Sequence, residues 1–564
     1  MITFSARWAL LAGATLVAAC GSSGPTPPVT VDCSTAGTTA LAAGASTIID
    51  AAQQGCVQLP GAGAAGAAYL YFAGLTDGSF TEHGTSAPYQ LAGASTVAAA
   101  ARSAATRPAS QRPVVSVRQG PSARAFHARL RDMERLAARE AASQPTAPLA
   151  AARAAATPPV MGDKRTFNVL ANGTATGTKA SDYVQVTGTV GYVGTHAAVY
   201  LDDAAPAPTY SPGDLQAIGT LFDDQLYPID TTAFGRESDI DGNNLVLILL
   251  TDRVTKLISC SGGSVVVGFF LPFDLSPTHV GSNAGEIFYG LVPDASCNLN
   301  VQDAKSSLPP VVIHEFQHMI SYNQHVLVRG GSPEQTWLNE GLSSFAEELG
   351  GRLVPDALCA NSDCLTQFSL INLDNASRYL TDPVSNYLIG PDRIPLPLEE
   401  YGSGWLFVRW LADHYATTAT LGTDLTQKLD ATNRTGVANV VHATGATFSS
   451  LVTNWQLANY LDDLPGFTPV DPLLKYTSWN FRQTYASLNS QDPTDFPRAE
   501  PLQPPVAANG VFAETGTLLA GSGRHLLVNQ DPNAPGASLR LTGTDGTTAL
   551  PASVAPFVGV VRIR

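Results

Sequence analysis

The stretch Val311-Val312-Ile313-His314-Glu315-Phe316-Gln317-His318-Met319-Ile320 constrains this chain most, because it sets an HExxH pattern inside an apolar-periodic segment. On an α-helix, positions i and i+4 project from one face a turn apart, so His314 and His318 can direct two imidazoles at one cation. Glu315 points to the side, where a carboxylate can take a proton from water held on that cation. A third protein donor is needed to complete such a set while leaving one position open. Downstream, Thr336 to Glu348 reads as a second helix whose buried side carries Leu342, Phe345, Ala346 and Leu349. Glu340 is its natural donor.

The rest of the 564-residue chain sets the context. Its 47 acidic against 32 basic residues give a net charge of −15, which argues against nucleic acid as a partner. Glycine (50) and proline (39) are abundant, as expected of a chain rich in turns, and an all-helical bundle is excluded. The fold class read from the pattern is α+β: a mixed sheet with active-site helices, flanked by β-rich regions.

Residues 1–19 read as an export signal, with Arg7 before an apolar stretch too short to span a bilayer. Residues 20–100 read as a tether and a small β region. Residues 101–160, with ten arginines against three acids, read as a basic linker. Within it Ala123 to Ala142 has helical spacing of Phe126, Leu130, Met133 and Leu136, on a background that fits a solvated spacer, a pro-region-like segment that could inhibit, or a membrane-surface helix. Residues 161–204 read as a β leaf, 205–465 as the domain that carries the HExxH pattern, and 466–564 as a β-sandwich. Ser211-Pro212 predicts a helix start, and Leu245 to Leu250 a buried strand. Six of the seven cysteines pair by proximity as Cys33 with Cys56, Cys260 with Cys297 and Cys359 with Cys364, consistent with an oxidising compartment.

Two resemblances sharpen this reading. Leu16-Val17-Ala18-Ala19-Cys20-Gly21 resembles the lipobox of bacterial lipoproteins, which implies lipidation of Cys20 and a membrane anchor in the bacterial cell envelope; an ordinary secretory signal is the alternative. The metzincin pattern fails, since Ser321 and Gln324 stand at its glycine and third-histidine positions. HEFQHMI followed by WLNEGLSSFAEEL instead resembles the gluzincin metallopeptidases, most of all the hyicolysin-type family, with a wider likeness from about Tyr200 to Tyr415. That likeness implies one Zn2+ per chain held by His314, His318 and Glu340, Glu315 as the base, and polypeptide substrates.

Thermolysin-like gluzincins place an acid four residues after the ligand glutamate to orient a zinc histidine; here Ser344 stands there, and Glu347 is the substitute. Tyr401 is the expected oxyanion donor, with His414 or His442 as alternatives. Asp239-Ile240-Asp241-Gly242-Asn243 resembles the start of a calcium loop but lacks the twelfth-position glutamate, so a tight turn is favoured over structural calcium. Ser282 to Ile287 is either an edge strand that pairs with substrate or a turn into the core. The rival from another class is a surface binding or adhesion lipoprotein with an inactive peptidase-like domain.

Overall fold

The computed structural model describes residues 29–77, 79, 84–95, 120–143, 157–260, 264–391, 395–417 and 420–564. The export signal, Cys20 and most of the flanks of the basic segment lie outside them. The chain opens with strands β1 (Ser46–Asp50), β2 (Cys56–Leu59), β3 (Ala67–Leu75) and β4 (Ser86–Ser95), followed by helix α1 (Pro121–Ser143). Strands β5 (Lys164–Leu170), β6 (Tyr183–Val193) and β7 (Ala197–Asp202) lead to helices α2 (Pro212–Leu221) and α3 (Tyr227–Phe234), then to β8 (Val246–Leu250), β9 (Gly268–Phe270) and β10 (Ile287–Gly290). A helical run follows: α4 (Val301–Tyr322), α5 (Thr336–Leu353), α6 (Cys364–Thr381), α7 (Leu398–Tyr415), α8 (Thr423–Asp430), α9 (Gly436–Thr444), α10 (Phe448–Leu461) and α11 (Phe481–Gln491). Strands β11 (Val506–Ala508), β12 (Phe512–Leu519), β13 (Gly523–Gln530), β14 (Ala537–Thr542) and β15 (Pro556–Arg562) end the chain.

One six-stranded sheet, in the order β5-β6-β7-β8-β10-β9, backs the candidate site. The strands of 161–204 therefore do not stand apart as a leaf: β7 pairs in parallel with β8, from Ala197 opposite Val246 to Leu201 opposite Leu250. All five residues of β8 are buried, as the run of aliphatics requires of a strand covered on both faces. β10 lies between β8 and β9, so the edge beside the site is the three-residue β9, and Ser282 to Ile287 is not an edge strand. Ser211 caps α2 with Pro212 at its first turn, as the sequence predicts.

The amino-terminal and carboxy-terminal β regions form one body rather than two. Its sheets run β1-β15-β3-β13-β11 and β12-β4-β14-β2, so each interleaves strands from both ends of the chain. Their facing side chains, among them Tyr69, Tyr71, Leu91, Leu526 and Val560, close a common core. This body joins the helical one where His525 Nε2 donates to the carbonyl of Gln456 on α10 at 2.8 Å. The three disulfides form in the pairs expected from proximity. No helix among the described residues is long and apolar enough to cross a membrane.

The basic segment departs most from expectation. Its helix α1 is neither a solvated spacer nor a membrane-surface helix, for it is packed into the molecule with Phe126, Leu130 and Met133 buried. Arg131 and Glu134 are buried with them, at 3% and 2% exposure, and pair with each other at 3.3 Å. A charged pair inside an apolar stripe hides a docking face from a simple polarity reading.

Candidate metal centre

Helix α4 starts where the Asn300 side chain accepts from Asp303 N at 2.9 Å, and it continues through Pro309 and Pro310. Pro310 has no N–H for the carbonyl of Ser306, which accepts instead from Gln367 Nε2 at 2.9 Å. The helix thus survives to present His314 and His318 on successive turns, their ring centroids 4.9 Å apart. Helix α5 brings Glu340 opposite: its Oε2 lies 3.4 Å from His314 Nε2 and 3.8 Å from His318 Nε2. Ligands on a tetrahedral zinc at about 2.0–2.1 Å stand roughly 3.3 Å apart, a spacing close to the two that separate Glu340 from the imidazoles.

His314, Glu315 and His318 also offer donor atoms within 4.8 Å of one another. Glu315 is nonetheless the poorer third ligand, because Phe270 N of β9 donates to its Oε2 at 3.1 Å and His127 faces its Oε1. Glu340 faces both imidazoles. The two carboxylates thus differ in where they point, Glu340 toward both imidazoles and Glu315 toward β9 and α1.

The far side of each imidazole is held. His314 Nδ1 donates to Glu347 Oε1 at 2.6 Å, and Asn372 Nδ2 donates to Glu347 Oε2 at 3.0 Å. Glu347, two turns beyond Glu340, occupies the orienting place that Ser344 leaves vacant. His318 Nδ1 donates to Asn339 Oδ1 at 3.1 Å, and Ser343 Oγ lies 3.1 Å from the same nitrogen. Ser343 Oγ donates on to Gln317 Oε1, and Gln317 Nε2 to Asp430 Oδ2 at 3.2 Å. Both imidazoles are thus oriented with Nε2 toward Glu340.

Electrostatics separate the two histidines. Burial pulls His314 down, but its bonds to Glu340 and Glu347 prevail and raise it to about 10. Burial and the charge of Arg131 push His318 down to about 3. Burial opposes ionisation of Glu340, yet the charge of His318 and its bonds to both histidines hold it well below the carboxylate range. Burial raises Glu315 and Glu347.

Tyr401 sits on the first turn of α7, 6% exposed. Helices α5 and α7 approach closely at Gly341 and Gly404; a Cβ on Gly341 would lie 2.9 Å from the Gly404 carbonyl. That approach leaves Tyr401 near enough to Glu340 to feel its charge. Burial, then the Glu340 charge, raises its hydroxyl well above the usual value, so it stays a hydrogen-bond donor. His414 is bonded to the carbonyl of Lys475 at 2.7 Å, and neither it nor His442 on α9 joins this group.

Two site neighbours escaped sequence reasoning. His127 Nδ1 of α1 stands 3.5 Å from Glu315 Oε1, and Arg131 Nε stands 3.9 Å from Glu340 Oε1. Their i, i+4 spacing beside Phe126 and Leu130 is the one signal that could have marked them. Glu286 likewise joins Asp239 and Asp241 in a second acidic group, accepting from Ser238 Oγ at 2.6 Å and Ile240 N at 3.0 Å. An apolar cavity of about 430 Å³ beside α2 and the first half of α4, lined by Ile218, Leu221, Phe222, Leu308 and Val312, contains none of the metal-binding groups.

Comparison with known proteins agrees with the site at a coarse level. No family model matches the chain. A stretch of 138 residues, 23% of the chain, is 32% identical to part of the neutral metalloprotease ShpI of Staphylococcus hyicus, and it spans 30% of that protein. The chain is therefore a distant relative, over part of its length, of a metalloprotease, and it carries a His-Glu-His group able to hold a metal.

Proposed function

We propose that the chain is a zinc-dependent metallopeptidase of the gluzincin, hyicolysin-like type that cuts extracellular polypeptides. The observation that carries this reading is the convergence of His314 Nε2 and His318 Nε2 on Glu340 Oε2, with Glu315 alongside. Zinc held by these three ligands would supply a Lewis acid and a bound water acidified toward a pKa of about 7. Glu315, whose proton affinity burial raises, takes a proton at its carboxylate and returns it to the leaving amine. Tyr401, kept protonated, donates its hydroxyl to the developing oxyanion. Glu347 and Asn339 hold the two imidazoles in the tautomer that presents Nε2.

The location of the protein is part of the proposal. Three disulfides support an oxidising compartment, and lipidation at Cys20 would tether the body to the cell envelope. Activity is tested with casein, one equivalent of zinc, and Glu315→Gln. The variant should keep its metal while cleavage falls by roughly 10²–10⁴-fold. Cleavage of esters or amidated sugars but not casein would move the substrate class, and absence of zinc would favour the binding-protein alternative.

A further inference from the structure

Resting on the peptidase reading, we propose that helix α1 is a resident occupant of the active-site cleft. It keeps the chain latent, and activity requires α1 to leave its seat while the strands before it stay in place.

The helix touches both walls of the cleft. On the sheet side, Phe126 packs edge-on against Phe269 of β9, centroids 5.3 Å apart, and His279 Nδ1 donates to Glu140 Oε2 at 2.8 Å. On the helical side, Arg135 Nη1 reaches Thr336 Oγ1 at 3.5 Å, at the start of α5. Between these anchors His127 and Arg131 face the base and the ligand carboxylate. With α1 seated, Glu315 is 1% exposed, His318 1% and Glu340 4%. A scissile peptide must come within hydrogen-bond reach of the base, and here α1 fills that space.

The seat is occupied by imperfectly satisfied groups. Arg131 Nε and Nη1 are buried and find no hydrogen-bond acceptor among the described residues. A buried guanidinium with only loose ion pairs, at 3.3 Å and 3.9 Å, contributes less than a fully bonded one. It also sets a positive charge beside the carboxylate that a metal cation needs. The contact is thus one that competition can break.

The topology rules out a simple amino-terminal pro-piece. Strands β1 to β4 precede α1 in sequence but pair with β12 to β15, for instance β4 with β12 over eight rungs from Ser86–Leu519 to Gly93–Phe512. Removing everything up to α1 would dismantle the sandwich. Release must act on α1 alone, by displacement or local excision.

The test uses the full chain and two variants that unseat α1 by different means: Leu130→Asp, which spoils its apolar face, and Arg131→Glu, which sets it against Glu315 and Glu340. Zinc-loaded variants should cleave casein roughly tenfold faster or more, by the inverse of the open fraction in the parent. A synthetic peptide of residues 121–143 should suppress that gain. In parallel, metal-stripped chains are treated with diethylpyrocarbonate and modification of His318 is mapped by mass spectrometry; the variants should react at least about tenfold faster. Equal His318 reactivity in parent and folded variants, or lower casein cleavage in both variants, overturns the proposal; the latter would make α1 part of the catalytic apparatus. Faster His318 modification with no cleavage by any form keeps α1 as the cleft's occupant and overturns the peptidase reading instead.

Discussion

Replacing Glu347 by alanine removes the acceptor that fixes His314, and the structure sets the size of the loss. The His314 Nδ1 to Glu347 Oε1 bond is 2.6 Å long and its two side chains are 10% and 13% exposed, so it is a charge-assisted bond in a dry setting. Such bonds contribute about 1.5–3 kcal/mol. At 1.36 kcal/mol per decade, a loss of about 2 kcal/mol lowers zinc affinity roughly 30-fold. Glu347→Gln, which keeps an acceptor without the charge, should lose less. Asn372→Ala, which only frees Glu347, should lose less than Glu347→Ala.

The loss should also depend on pH. Glu347 helps raise His314 to about 10 in the metal-free chain, so its removal eases proton competition at neutral pH. The apparent deficit must therefore widen as pH rises. The assay is a competition titration against a chromophoric zinc chelator at pH 6.5, 7.5 and 8.5, with near-ultraviolet circular dichroism as the check on folding. Zinc affinity of Glu347→Ala within twofold of the parent at all three pH values would refute the orienting role.

Other expectations follow from neighbouring groups. Gly341→Ala sets a Cβ 2.9 Å from the Gly404 carbonyl and should cost about 1–3 kcal/mol by forcing α5 from α7; an unchanged melting temperature would contradict that close approach. Burial raises Glu286 from 4.5 to about 7, so its stability contribution is full below pH 4.5 and is lost as pH rises through 7. Glu286→Gln should then match the parent at pH 4.5 and exceed it by up to about 3 kcal/mol at pH 8.5 in urea denaturation. A calcium ion held by Asp239, Asp241 and Glu286 would reverse that order.

How far the sequence reached depended on how local each feature is. His314, Glu315 and His318 are legible because one helix repeat fixes them, and Glu340 and Glu347 because they share a face of α5. Neighbouring cysteines paired as their spacing suggested. Strand pairing is different: Leu91 lies opposite Glu514, and nothing in either segment names its partner. β9 is three residues long and carries no periodicity, yet its Phe270 N caps the base. The docking of α1 was hidden for a third reason, since Arg131 reads as a surface charge until Glu134 and Glu340 are placed around it.

Metal analysis of the purified chain beside its His318→Ala form asks whether His314, His318 and Glu340 share one zinc ion. One equivalent of zinc in the parent and almost none in the variant is the expected result; equal zinc in the two would contradict that sharing.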